Sequence, residues 1–493
     1  MRIALLPPDE RPNTLGYAAW IGRCCGAEVL TPPSAALPDF HRPADTDVLN
    51  AWLRDTAPQV DHVVASLDLL VHGGLVPSRL SHERIRHVVP RLAVLDQLNV
   101  PITAYQVITR LPHYDSASRA RQEPEYWATH GQRLSEWSTR WHEHAETEAD
   151  AAAVAKAREA VPAEYRHDLS QRRLRNHVVN LAAMEMHAEG VIDCLVMTSD
   201  DTAPRGFPAA ERHLLQQWND RLDTSVPFYP GADEVPSVLV ARVAAQHARR
   251  SPSIRVTCAV SGGLERIAPY EDQPVGISVR RQIGALGATI VADDSPGADL
   301  VLVVHAPAEV PGDWVMNPPK VVDQKQIDAT TNLVRAELAT GSRVALADVR
   351  YANGSDPDLL TALDEAGLLG LLTAYGGWNT AGNTLGTTLA AGVSAVLDTS
   401  ASAEQQRREF LANKIIKDGH YLPVVRANIQ NEAHQRGLGD PPLEDVPAIE
   451  KRITAELDAW AQTIEAVQGY QVRRARLPWK YTFTVDFELA QRM

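Results

Sequence analysis

Short runs of Val, Ile and Leu recur along the chain, and between them lie longer stretches whose apolar residues return every three to four positions. The first pattern suits strands buried on both faces and the second suits amphipathic helices, so their alternation predicts parallel strands joined by crossover helices. Strands are expected at 2–6, 62–67, 102–108, 194–198, 226–229, 254–260, 300–305, 344–349 and 371–375, with another short one at 288–292. That number slightly overfills an eight-stranded closure, and the expected fold is an α/β (β/α)8 TIM-like barrel over residues 1–400. Residues 116–190 are polar, rich in Arg, Glu and Ala, and far longer than an ordinary crossover, which predicts a helical insertion. A small βαβ insertion is expected at 253–294, and 401–493 reads as a helical extension, broken by a loop at 437–442 and ending in an alternating strand at 481–489. Internal repeats and low-complexity linkers are absent from the sequence.

Composition narrows the function classes. With 44% hydrophobic and 22% charged residues over 493 positions, the balance is that of a globular chain with a large core. The longest apolar runs fall well short of the roughly 20 residues that cross a bilayer, and prolines and charges follow the first apolar residues (Leu5-Leu6-Pro7-Pro8-Asp9-Glu10) where a secretory signal would continue. A cytoplasmic protein without a membrane partner is therefore expected. The formal charge of −14 repels a phosphate backbone and argues against nucleic acid as a partner. Cys24, Cys25, Cys194 and Cys258 are too scattered for a disulfide framework or a zinc site and read as free thiols. Gly-rich nucleotide loops, the Gly-x-Ser-x-Gly elbow and His-Glu-x-x-His are all missing, so neither cofactor nor metal is expected, and the usual serine hydrolases and zinc proteases lose support. His142 and His144 lie two apart on an expected helix, do not share a face, and read as surface residues. A homo-oligomer is left open.

Polar residues cluster directly after the expected strands, where barrels and open α/β sheets both place their sites. The strongest cluster is Thr198-Ser199-Asp200-Asp201-Thr202-Ala203-Pro204-Arg205-Gly206. Two carboxylates beyond a frayed strand end can address one ligand, and because they resist ionising together, one keeps a proton near neutrality. The other reading of this pair is a helix cap or an ion-pair partner of Arg205. The second cluster is Tyr375-Gly376-Gly377-Trp378-Asn379-Thr380-Ala381-Gly382-Asn383, whose aromatic faces and amides suit a sugar platform. It also reads as a strand-to-helix turn capped by Asn379 or Thr380, with Trp378 in the core. Asp9, Arg11, Asp68, His72, Arg110, Asp233, Glu234, Asp348, Tyr351 and Asn353 follow other strands and complete the expected substrate-binding set.

The segments 8–13, 66–79, 199–206, 231–235 and 375–386 together resemble a bacterial family catalogued as a domain of unknown function. The adjacent acids also resemble those of substrate-assisted β-N-acetylhexosaminidases, and the family resemblance points to β-N-acetylgalactosaminidase activity. That resemblance implies a substrate whose own acetamido oxygen attacks the anomeric carbon to form an oxazoline. It assigns Asp200 to orienting the acetamide N–H, Asp201 to protonating the leaving oxygen and then activating water, and Tyr375 or Tyr351 to the acetamido oxygen. The expected partner is thus a small carbohydrate with a terminal β-linked N-acetylhexosamine. Two alternatives stay open: a metal-dependent barrel hydrolase or isomerase using Asp9, Asp68, His72, Asp200 and His305, and a non-enzymatic sugar-binding protein.

Overall fold

The computed structural model describes residues 1–116, 120–148, 150–292 and 297–492. Positions 117–119 and 149 of the expected helical insertion, and 293–294 of the expected βαβ piece, lie outside the described residues. The strands are β1 (Arg2–Leu6), β2 (Glu28–Leu30), β3 (His62–Ser66), β4 (Ile102–Ile108), β5 (Cys194–Ser199), β6 (Phe228–Pro230), β7 (Ser253–Thr257), β8 (Thr289–Val291), β9 (Leu300–His305), β10 (Val344–Asp348), β11 (Ala374–Gly376), β12 (Tyr470–Arg476) and β13 (Asp486–Gln491).

The α/β expectation holds, but the strands do not pair as one barrel. β1 to β6 form a sheet in the order β2-β1-β3-β4-β5-β6, and β7 to β11 form another in the order β11-β10-β9-β7-β8. Among the described residues no pairing closes either sheet. Apolar runs reveal that strands exist and are buried; which strand each one neighbours depends on contacts remote in sequence. β7 and β8, expected in a small insertion, belong to the second sheet, where β7 pairs with both β8 and β9. The expected closing strand pairs as β13 antiparallel to β12, whose existence the sequence pattern did not suggest.

The chain forms two compact units, one of Met1–Glu10 with Val29–Pro236 and one of Arg11–Glu28 with Ser237–Met493.

In the first unit β1, β3, β4 and β5 are paired in parallel, with Leu5 opposite Val64, Ala65 opposite Ala104 and Ile108 opposite Ser199. All seven residues of β4 are buried, the polar Thr103 and Gln106 included, so the strand has no solvent face to impose a polar–apolar alternation. The order reverses between β1 and β3, so the crevice beyond their carboxyl ends is a topological switch point, the usual ligand position in open α/β sheets. Asp9 and Asp68 follow those two strands. The second sheet has a corresponding reversal between β7 and β9.

The insertion is helical as expected, with helices Trp127–Thr147, Ala151–Glu159 and Ala163–Ala188. Trp127, Leu134, Trp137, Ala157, Val161 and Leu169 give it a small core of its own. Among the described residues, no helix is long and apolar enough to cross a membrane. The four cysteines are free thiols.

Candidate functional site

In the first unit the strand-end acids gather at the carboxyl edge of the sheet. Asp200 directly follows β5, and its N–H still donates to the Ile108 carbonyl oxygen at 3.3 Å, continuing the ladder by one step. Asp201 then turns into left-handed backbone (φ 40°), a conformation that Asp tolerates better than most residues. This break in the extended chain lets two consecutive carboxylates escape the opposite-face alternation of a strand. Neither does what the blander reading required. The following helix, Phe207–Arg221, starts at Gly206 without a side-chain cap, and Arg205 pairs with Glu143 and Glu146 at 3.4 and 3.2 Å.

The carboxylates instead enter a chain of alternating charges. Arg79 Nη2 binds Asp200, its Nη1 donates to Gln122 Oε1 at 2.8 Å, and the same Nη1 lies 3.7 Å from Glu123 Oε1. Glu123 Oε1 accepts from Arg110 Nε at 2.9 Å, and Arg110 Nη1 reaches Asp201 Oδ2 at 2.9 Å. Two arginines thus hold the neighbouring acids through one shared, buried glutamate. Gly73 (φ 76°) and Gly74 (φ 137°) make this reach possible by breaking the helix Leu67–His72 from the helix Leu75–Leu80 that carries Arg79. A Cβ on Gly73 would stand 2.7 Å from the Ala44 carbonyl oxygen, so glycine is required there.

Proton affinities separate the acids. Burial, reinforced by the Asp200 charge and opposed by Arg110, pushes Asp201 up to about 6 although 33% of its side chain still meets solvent. Asp68 is fully enclosed and accepts from Gln106 Nε2 at 3.1 Å and from Val107 N–H at 3.2 Å; burial nevertheless raises it to about 7. Burial also raises the Tyr105 hydroxyl; a hydrogen bond with Ser66 opposes the rise, and the charges of Asp68, Asp9 and Asp233 add to it. Glu234 is buried beside them in sequence, with Oε2 accepting from Ala232 N–H at 3.0 Å. His72 is enclosed rather than open to a ligand. Burial, then Arg175 and Arg91, hold its ring neutral, and neither ring nitrogen has a hydrogen-bond partner among the described residues.

The helical insertion fastens the loop that carries the pair. Ser138 Oγ accepts from Phe207 N–H at 2.6 Å and His142 Nδ1 accepts from Gly206 N–H at 3.0 Å. His142 is therefore buried and structural, not a surface residue as expected, because the helix Trp127–Thr147 turns that face onto the loop. Sequence reasoning missed Arg79, Gln122 and Glu123. Arg79 stood inside the 66–79 motif as a signal that could have been used; Gln122 and Glu123 were hidden in a segment that read only as a polar insertion.

The other expected residues lie in the second unit. Asp348, at the end of β10, is buried and lifted to about 6 chiefly by burial, with His305 opposing and Asp356 reinforcing. Its oxygens accept from Asp356 N–H at 2.6 Å and Arg350 N–H at 3.2 Å, so it staples a loop. Tyr351 Oη accepts from Arg350 Nε at 2.9 Å, and Asn353 donates from Nδ2 to Asp313 Oδ2 at 3.0 Å. Arg11 stacks on Trp479, 4.5 Å from its ring centre. Tyr375 and Trp378 are buried, with Trp378 edge-on to Tyr17 at 5.9 Å and the Lys414 ammonium 4.9 Å over its ring. Trp378 is thus packed in a core, not presented as an open stacking platform.

Asn379 donates to Asn383 Oδ1, and Thr380 Oγ1 accepts from Asn383 N–H at 3.4 Å to cap the helix Ala381–Leu397. The Gly-rich motif is therefore a capped strand-to-helix turn. Thr380→Ala is expected to cost about 1 kcal/mol, read as a lower chemical-denaturation midpoint. Among the described residues no three His, Cys, Asp or Glu side chains form a metal-holding group.

No curated protein and no solved structure matches the chain significantly. A family model, described as "Protein of unknown function (DUF4127)", matches residues 3–488. Spanning nearly the whole of both units, that match makes this chain a member of the DUF4127 family.

Proposed function

We propose that the chain is a glycoside hydrolase that releases terminal β-linked N-acetylhexosamine by substrate-assisted catalysis, with Asp200 and Asp201 as its working acids. The observation that carries this reading is geometric: two adjacent carboxyls at one strand end are each held by an arginine, Asp200 by Arg79 and Asp201 by Arg110, with Asp201 raised by burial to about 6 and partly open to solvent. A general acid with that affinity holds a proton often enough near neutrality to give it to a departing glycosidic oxygen, and can take one back from water. Asp200, bound to Arg79 through one oxygen, retains the other for an acetamide N–H. Substrate assistance also suits a site in which both acids are already committed to arginines, since neither is then asked to be the nucleophile.

The analogy rests on the acids, not on the fold, because the strands form two sheets. Tyr375 and Tyr351 lie in the second unit. A panel of aryl glycosides tests the reading. Aryl β-N-acetylgalactosaminide or β-N-acetylglucosaminide should turn over, with the galacto configuration favoured, and the matching 2-hydroxy glycosides should not. Equal turnover of a plain β-galactoside would sink substrate assistance, and silence across the whole panel would sink the glycosidase.

A further inference from the structure

The second unit holds a buried amine that the proposed hydrolysis does not use. Lys417 opens a π-helical turn, Lys417–Val425, and is 2% exposed. Its Nζ lies 5.0 Å from the Tyr17 ring centre. Nearby, Lys414 takes the Asp418 carboxylate at 2.7 Å, and Asp418 Oδ2 also accepts from Gly377 N–H at 3.0 Å. Asp418, the only carboxylate on this turn, uses the same Oδ2 for both contacts. Lys417 lines a small cavity of about 10 Å³ together with Asn13, Asn353, Trp378, Asn379 and Arg426. Such a space holds about one water-sized centre. Trp378 Nε1 is buried and lacks a hydrogen-bond partner among the described residues.

A nearly enclosed amine, an unsatisfied indole N–H and a cavity of this size fit a small electrophile that becomes an anion on reaction. We propose that Lys417 is a carbamylation site, taking up carbon dioxide to form a carbamate whose oxygens accept from Trp378 Nε1–H. The amine lone pair attacks the carbon of CO2, a C–N bond forms as one C=O π bond opens onto oxygen, and the nitrogen releases one proton to solvent. No oxidant or other reactant is needed. Burial, followed by the Lys414 charge, lowers Lys417 to about 7, so neutral amine is present at physiological pH; Asp418 and Asp486 oppose that shift and Arg11 adds to it. Arg11, Lys414 and Arg426 supply positive charge for the product, and the Tyr17 ring closes one side. This inference stands independently of the glycosidase reading.

The test uses the full chain. After equilibration with ¹³C-bicarbonate at pH 8, trapping with triethyloxonium ion and peptide mapping should place the ethyl carbamate on Lys417. The yield should fall several-fold at pH 6, and the ¹³C carbamate resonance should vanish in Lys417→Arg. Label confined to other amines, or no label, overturns the proposal. Because mapping reads the native chain, the answer does not depend on the variant folding.

Discussion

Asp201→Asn is expected to lower kcat on aryl β-N-acetylhexosaminides by about 10²–10⁴-fold, the usual worth of a positioned general acid. The amide is nearly isosteric and can still meet Arg110, so the folded state should survive while the transferable proton is lost. The size of the loss should depend on the leaving group. A dinitrophenolate departs without protonation and should show a much smaller defect than an unsubstituted phenolate. The pH profile gives a second reading. Asp201 must be protonated to act as the acid, so wild-type kcat/KM should fall as pH rises through about 6, and that limb should be absent from the variant. A variant that hydrolyses phenyl glycosides at the wild-type rate would remove Asp201 from the chemistry.

Asp418→Ala should be the most damaging single change to stability, by about 3–5 kcal/mol, the cost of removing one partner from a buried ion pair. Lys414 and Asp418 both have side chains at 0% exposure and lie 2.7 Å apart. Deleting the carboxylate strands the Lys414 ammonium, deprives Lys417 of a neighbouring counter-charge, and leaves Gly377 N–H without its acceptor. The variant's pH dependence has a definite sign. Burial lowers both lysines in the folded state, so above their folded values and below about 10.4 the unfolded chain binds more protons, and stability rises with pH. Asp418→Ala should therefore recover partly in mildly alkaline solution, measured by denaturant midpoints from pH 7 to 9.5. Replacing both partners with apolar residues, as in Lys414→Met with Asp418→Leu, should cost less than the single change, because no buried charge is left alone. A single-variant loss below about 1 kcal/mol would show that the pair is not desolvated as its burial indicates.

Much of the secondary structure was legible because its causes are local. β1, β4 and β9 coincide with short segments rich in apolar residues, and the insertion declared itself by helix-favouring composition. The three-residue strand β2, with a burial pattern ranging from exposed to half-buried, offered no such run. In the candidate site, the Asp200/Asp201 pair was visible because it ends a strand and meets a Pro/Gly loop. Its partners were less so: Arg79 comes from a short helix after β3, Arg110 from the end of β4, and Glu123 from the start of the insertion.

By itself, then, the sequence determined the α/β character, the approximate strand positions and the acids at their ends, since hydrophobic period and turn chemistry act over a few residues. Tertiary structure decided the rest: that the strands pair in two sheets, that Trp378 and His142 are enclosed, and that Asp201 differs in proton affinity from an ordinary aspartate. Strand neighbours, burial and electrostatic coupling depend on groups brought together from distant parts of the chain, and no local pattern encodes those distances.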